Sequence, residues 1–275
     1  MATVTAADIK KLREATGAGM TDCKNALVEA HGEYDKAVEY LRIKGLKGVA
    51  KREGRAASNG LVAAVLDGTS RGTMLELNCE TDFVAKGQPF QTLAAQVLEA
   101  VKGSNDLSTV TVGGKPLKDV LDDAGATLQE KIEVRRAVSF DAGDGGYVGL
   151  YLHKTNPDLP PQLGVLVELS AENAEVARDL AQHIAAFAPT YVSREEVPEE
   201  VVAKERSIAE ATAKEEGKPE VALSKIVEGR VNGFFKDAVL LEQAFAKDAK
   251  KTVAKVLSEA GVGVKGFARF KVGQA

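Results

Sequence analysis

Gly68-Thr69-Ser70-Arg71-Gly72 has the Gly-x-Ser-x-Gly spacing that, in a hydrolase, lifts a nucleophilic serine on a strand-to-helix turn near a histidine. Here both flanking segments, 60–66 and 73–78, have the composition of strands, so the glycines bend a hairpin and Ser70 reads as a turn residue. The acid pairs Glu195-Glu196, Glu199-Glu200 and Glu215-Glu216 fall in a charged helical region, where carboxylates serve solvation rather than proton transfer. Of the three histidines, His31 precedes a helix-stopping glycine, and His183 sits on an otherwise apolar helix and reads as a hydrogen-bonded core residue. His153 opens an irregular, proline-rich stretch just past a strand, where it reads equally as a contact or as a loop residue. No Gly-x-x-x-x-Gly-Lys-[Ser/Thr] loop occurs, and two cysteines with three histidines are too few for a Cys/His zinc site, so no nucleotide, metal or cofactor is expected on this chain.

The most informative stretch is Asn78-Cys79-Glu80-Thr81-Asp82-Phe83-Val84-Ala85-Lys86, where a strand ends and a bulky ring stands beside an acid before the next helix starts. Thr81 or Asp82 can cap a helical turn with Phe83 tucked beneath its own domain. Alternatively, Phe83 is presented outward as a contact anchor, a scarce resource in a chain with nine Phe, five Tyr and no Trp.

The elements that must position these residues follow from periodicity. Apolar residues at helical spacing predict three short helices: the first from Thr5, with Asp8 completing a capping box, to Gly17-Ala18-Gly19; the second from after Thr21 to Gly32; the third over 34–44, ending at Gly45. Residues 42–55 are rich in Lys, Arg and Gly and predict a solvated, partly helical connector. Beyond it come a hairpin (60–66 and 73–78) and a helix over 89–101, an order that returns as strands at 146–151 and 164–169 followed by a helix, as in an internal duplication. The segment 131–138 alternates as a strand expected to lead into the second sheet. Ser193 with Glu196 predicts a cap for a long helix to Glu216, and Gly217-Lys218-Pro219 turns it into a return helix. The expected fold is multidomain α+β: a three-helix bundle with connector (1–55), a core first half (56–143, with the exposed loop at 79–87), and a core second half (144–275). A projecting antiparallel helical hairpin (195–235) is inserted in the second half, and a final strand lies near 262–272.

With 36 basic and 40 acidic residues the net charge is −4, so the whole surface cannot bind a polyanion and only the connector around Lys44, Lys47, Lys51, Arg52 and Arg55 offers an RNA-binding alternative. No signal peptide or 18-residue apolar run is present, which predicts a cytoplasmic protein without membrane contact.

Leu12-Arg13, Thr16-Gly17-Ala18-Gly19-Met20 and Asp22-Cys23-Lys24-Asn25-Ala26-Leu27, with the Asn78 to Lys86 stretch downstream, closely resemble bacterial elongation factor Ts. Similarity extends in order through Ile132 to Arg136, Gly164 to Val167, Val227 to Arg230 and Gly266 to Phe270. The resemblance implies a guanine nucleotide exchange factor for the GTPase elongation factor Tu, with no covalent chemistry of its own and an N-terminal bundle like a ubiquitin-associated domain. It further implies that Arg13, Met20 and Lys24 dock the bundle on a helix of the GTPase domain. The turn Thr81, Asp82, Phe83 and Val84 then probes the nucleotide pocket, where Asp82 and Phe83 loosen magnesium and phosphate, and Leu128 and His153 touch the partner. Thr21 stands where a second methionine is common in the family, Ala246-Lys247 where an apolar pair is common, and the chain stops at Ala275 without the C-terminal helical extension of longer members. The hairpin is left a possible role in self-association, and direct nucleic-acid binding is not expected.

Overall fold

The computed structural model describes residues 4–16, 18–104 and 106–274. Gly17, expected to help stop the first helix, lies outside them, as does the side chain of Lys47 in the connector. Helix α1 (Ala6–Thr16) opens as expected: the Thr5 hydroxyl accepts from the Asp8 N–H (3.2 Å) and the Asp8 carboxylate from the Thr5 N–H (3.1 Å). Helix α2 (Met20–Glu29) starts directly behind Gly19, slightly earlier than expected. Both pack with the first turns of α3 (Tyr34–Arg52) around Leu12, Cys23, Ala26, Leu27, Ala37 and Leu41.

Helix α3 does not stop at Gly45 but absorbs most of the connector. The glycine serves close packing instead: a Cβ there would lie 2.6 Å from the Cβ of Ala126. A mid-helix glycine costs about 0.5–1 kcal/mol against alanine, which this contact offsets. The connector's cations are engaged along the way. Arg42 pairs with Asp123 (3.0 Å), Lys44 with Asp22 (2.7 Å) and Arg55 with Glu80 (3.2 Å), while Arg52 donates to the Gly125 carbonyl (3.2 Å).

The core is α+β. Its first part runs β1 (Asn59–Asp67), β2 (Arg71–Cys79), α4 (Asp82–Lys86), α5 (Gln88–Val101), the small hairpin β3 (Thr111–Val112) and β4 (Lys115–Pro116), α6 (Leu117–Leu128) and β5 (Glu133–Asp141). The second runs β6 (Tyr147–His153), β7 (Leu163–Leu169), α7 (Ala174–Phe187), α8 (Glu199–Glu215), α9 (Glu220–Ala238), the small hairpin β8 (Ala244–Phe245) and β9 (Asp248–Thr252), α10 (Val253–Ala260) and β10 (Val264–Lys271). Each part forms a three-stranded antiparallel sheet with its second strand in the middle, β1-β2-β5 and β10-β7-β6. The expectation that 131–138 leads into the second sheet is therefore corrected. That segment becomes β5 and pairs with the free edge of β2, Leu75 opposite Ala137 and Glu76 opposite Arg136.

Alternation along the strands divides two faces. Leu61, Leu75 and Leu77 meet Phe90, Leu93, Ala94 and Val97 of α5, and Val165, Val167 and Leu169 meet Ala177, Leu180 and Ile184 of α7. The opposite faces carry Val62, Met74, Val148, Leu166 and Phe270, which join in one cluster where the two sheets pack on each other. The approach is close: a Cβ at Gly164 would lie 2.6 Å from Val62 and 2.7 Å from Met74, and one at Gly72 would lie 2.8 Å from Val148. The two central strands share a pattern, Gly72-Thr-Met-Leu-Glu-Leu-Asn78 and Gly164-Val-Leu-Val-Glu-Leu-Ser170, and the matched glycines face the same interface.

Within this interface Glu76 is fully buried. Its carboxylate takes the Arg136 guanidinium (2.8 Å) and the Gly273 N–H (3.1 Å), and Arg136 also lies 4.5 Å over the Phe270 ring and donates to the carbonyls of Lys271 and Gln274. Helices α8 and α9 pack together around Ala209, Val227, Val231 and Phe235. The Ser193–Glu196 cap is not formed: α8 starts behind Pro198, the Ser193 side chain makes no capping bond, and the Glu196 carboxylate instead accepts the Val192 N–H (2.8 Å).

His183 is buried as expected, stacked on Phe187 with ring centroids 4.7 Å apart. Its Nδ1 accepts the Ala246 N–H (3.1 Å), which leaves the proton on Nε2 to be donated to Gln243 Oε1 (2.8 Å). Burial lowers its pKa below the ordinary 6.5.

Arg136→Ala strands a buried carboxylate and costs about 3 kcal/mol of unfolding free energy, read from urea denaturation. Because His183 resists protonation only when folded, its contribution is complete above its unfolded pKa of about 6.5 and is lost as the pH falls below that value. The urea midpoint accordingly drops between pH 7.5 and 5.5, with a shallower drop in His183→Gln.

Candidate functional site

Strand β2 delivers the chain to Cys79, and the extended backbone of Thr81 (φ −125°, ψ 156°) begins a five-residue helix. The Thr81 hydroxyl caps it, accepting from the Val84 N–H (3.4 Å), and the Gly87 N–H closes it onto the Val84 carbonyl (2.9 Å). Ala85 is buried beneath, and Val84 is half-buried on the same core. Phe83 points the other way: 83% of it is exposed. Asp82, in the first turn, pairs with Lys86 (2.9 Å), and that hydrogen bond lowers its pKa, so it is a carboxylate at neutral pH. The neighbouring thiol is no nucleophile. Cys79 is buried, donates to the Thr81 carbonyl (3.2 Å), and burial pushes its pKa up to about 12.

The turn is held from one side by a second turn. At the end of α6 Gln129 takes the left-handed conformation (φ 59°), placing Glu130 against it. The Glu130 carboxylate accepts the N–H groups of Glu80 (3.0 Å) and Thr81 (3.1 Å) and the Thr81 hydroxyl (2.5 Å). In return Glu80 accepts the Lys131 N–H (2.7 Å) and pairs with Arg55 (3.2 Å). Burial raises the Glu80 pKa, but these donors outweigh it and the net shift is downward.

The duplication shows what is special here. Fifteen positions separate Asn78 from Leu93, whereas ten separate the matching Ser170 from Leu180. The difference equals the length of α4, five residues. In the second part Asn173 caps α7 directly, accepting from the Val176 N–H (3.1 Å). The exposed ring and acid thus ride on an insertion into one of two like scaffolds.

The other expected contact residues are placed on other elements. Arg13 is exposed on α1; Met20 (49% exposed), Lys24 and Val28 follow at four-residue steps along one exposed face of α2. His153 is the last residue of β6 rather than a loop residue, exposed, with Nδ1 3.0 Å from the Tyr151 hydroxyl. Leu128 is half-buried and borders a groove of about 520 Å³ between α5 and α6, beside Pro89, Leu93 and Thr127. Ser70 lies in the tight turn between β1 and β2, as expected of a structural residue, and its carbonyl accepts the Ala142 N–H (2.8 Å). Sequence reasoning does not single out Glu130, and it reads Arg55 as a connector cation and Glu80 as part of the stretch from Asn78 to Lys86, not as partners that brace this turn. Glu130 acts across 49 positions, and a lone acid in a polar tract carries no periodic signal.

An ionised carboxylate and a solvent-exposed ring thus stand side by side on a braced turn, with no cavity around them, among the described residues, to enclose a small molecule. The family model for elongation factor Ts matches residues 80–274. Proteins named elongation factor Ts from Acidothermus cellulolyticus (60% identical over 279 positions, all of both chains) and Thermobifida fusca (58% over 281, all of both chains) are similar throughout. So is that of Streptomyces griseus, 60% identical over 281 positions covering 99% of this chain and all of the relative. The chain belongs to the elongation factor Ts family. Among the described residues, no helix is long and apolar enough to cross a membrane.

If Phe83 is held out for a contact beyond the chain, it adds little to stability. Phe83→Ala shifts the unfolding free energy by less than about 0.5 kcal/mol, whereas Phe90→Ala, on the fully buried ring of α5, costs about 3–5 kcal/mol, both measured by urea denaturation.

Proposed function

We propose that this protein acts as a guanine nucleotide exchange factor, binding elongation factor Tu in its GDP state and promoting GDP release, with α4 as the probe and the N-terminal helices as the dock. The observation that carries this reading is the 83% exposure of Phe83 beside ionised Asp82 on a braced turn, in a member of the elongation factor Ts family. The protein makes and breaks no covalent bond. It acts by binding the nucleotide-free or loosened GTPase more tightly than the GDP form, since equal affinity for both shifts nothing.

A ten-thousandfold acceleration requires about 5.5 kcal/mol realised in the transition state for GDP departure. Burying one phenylalanine supplies about 2–3 kcal/mol. Phe83 therefore needs Asp82, whose charge competes for the magnesium and repels the phosphates, together with the grip of Arg13, Met20 and Lys24. Thr81 and Val84 form the base of the probe, and Leu128 and His153 add flanking contacts. The α1–α3 unit is the ubiquitin-associated-like dock of residues 1–55, the core divides near residue 143, and α8–α9 form the projecting hairpin, available for self-association.

The RNA-binding alternative is not favoured. Arg42, Lys44 and Arg55 are paired with Asp123, Asp22 and Glu80, and Arg52 with a backbone carbonyl, so the connector's charge is largely spent within the chain.

Release of fluorescent GDP from elongation factor Tu tests the proposal. Asp82→Ala with Phe83→Ala keeps the fold and residual partner binding but loses most of the stimulation; full stimulation by this double variant sinks the probe role. Met20→Ala raises the half-saturating concentration more than it lowers the maximal rate, the signature of lost uniform binding. An unchanged half-saturation point removes Met20 from the dock.

A further inference from the structure

The geometry points to Glu130 as a positioning residue for nucleotide release: its carboxylate latches the start of α4 so that Asp82 and Phe83 meet the partner in one fixed orientation. The inference rests on the probe reading given above. A ring 83% in solvent has almost no packing of its own to orient it, so its direction is set by the backbone that carries it. That backbone is short. A five-residue helix has little intrinsic stability, because helix nucleation is unfavourable and few internal hydrogen bonds form.

What fixes it is external. Burial of Ala85 and half-burial of Val84 anchor its underside, and the Thr81 hydroxyl caps its first turn. Three hydrogen bonds to the Glu130 carboxylate, from the Glu80 and Thr81 N–H groups and the Thr81 hydroxyl, fix the residues just before the helix. Charge-assisted bonds of this kind are roughly twice as strong as neutral ones. The Thr81 hydroxyl has a double duty, giving its proton to Glu130 while its lone pair accepts the Val84 N–H, so the latch also holds the cap in place.

Glu130 ties the probe to the dock as well. It follows α6 by two residues, and α6 packs on α3 through Ala126 against Gly45 and through Asp123 with Arg42. The reciprocal bond from the Lys131 N–H to Glu80, itself paired with Arg55 just beyond α3, closes the same connection from the other side. The dock and the probe therefore share one rigid support, and Glu130 is where it meets the probe turn.

The test compares wild type, Glu130→Gln, Asp82→Ala/Phe83→Ala and the triple variant in stimulated GDP release from elongation factor Tu. An amide cannot accept all three donors, so Glu130→Gln is expected to lower the maximal rate about tenfold, within the range that small misplacements cost, with the half-saturating concentration unchanged. The triple variant is expected to match the double, because Glu130 acts only through those two residues. Should Glu130→Gln fold poorly by thermal denaturation, Thr81→Val removes the hydroxyl arm of the latch while keeping the side-chain shape, and the same pattern is expected of it. Unchanged maximal stimulation in folded Glu130→Gln, or a further tenfold loss in the triple variant, overturns the proposal. Full activity in Asp82→Ala/Phe83→Ala overturns the probe reading instead, and that outcome is distinguishable from the others.

Discussion

Two three-stranded sheets approach so closely that neither Gly72 nor Gly164 has room for a methyl group, and this interface sets the geometry of everything attached to it. Close approach brings the end of β10 over the first sheet, where Glu76 sits without access to water. A buried carboxylate is tolerated only when it is paired and hydrogen-bonded. Arg136 and the Gly273 N–H meet that requirement, and Arg136 in turn holds the carbonyls of Lys271 and Gln274. A polar contact thus pins the chain's last described residues to its first sheet, locking the two parts in one relative orientation. Helices α5 and α7 cover the outer faces, leaving strand ends and inserted turns as places where function can be added without disturbing the core.

The additions are unequal, and that inequality is informative. Both parts follow the same order of hairpin, helix, small hairpin, helix and final strand, and both central strands carry the same Gly and Glu positions. Departures from this symmetry are few: α1–α3 ahead of the first part, the five residues of α4 within it, and α8–α9 within the second. The shared elements explain stability. Most of the exposed large apolar side chains lie on the unshared elements, among them Met20 and Val28 on α2, Phe83 on α4, Ile208 on α8 and Val221 on α9, whereas the shared elements expose Leu66 on β1 and Phe187 on α7.

Much of this was legible in the sequence, because it lies in local patterns. The Thr5–Asp8 box, the hairpin around Ser70, the face of α5 from Phe90 to Val97, and the recurrence of strands at 146–151 and 164–169 are short-range signals that the structure keeps. The misses share a different cause. Gly45 reads as a helix stop because a glycine's local meaning is flexibility; its actual role depends on Ala126, distant in sequence. The strand after Lys131 falls within the first half as its position requires, but it reads as a lead-in to the second sheet because nothing in its own residues states that the edge of β2 is free to receive it. Ser193 and Glu196 fit a capping pattern, but Pro198 is pre-organised to start the helix and Glu196 turns to the Val192 N–H. At the site, Asp82 and Phe83 stood out by type, whereas the latch at Glu130 depends on a pairing across the fold that no spacing rule encodes.

An exposed phenylalanine forgoes the roughly 2–3 kcal/mol that its burial would give. In a monomer that loss is unexplained. On the proposed probe reading it is useful, because binding energy withheld in the free state can be realised where the partner's nucleotide site opens, and only there does it accelerate release. The condition is that the ring does not recover the energy by folding back on its own chain. A flexible loop would allow this; a capped helix with Ala85 beneath it and Glu130 fixing its entrance does not. The rigidity of the turn and the exposure of the ring are therefore one property, and the same linkage requires bound GDP to weaken the grip of this protein on its partner by the factor through which the protein weakens GDP.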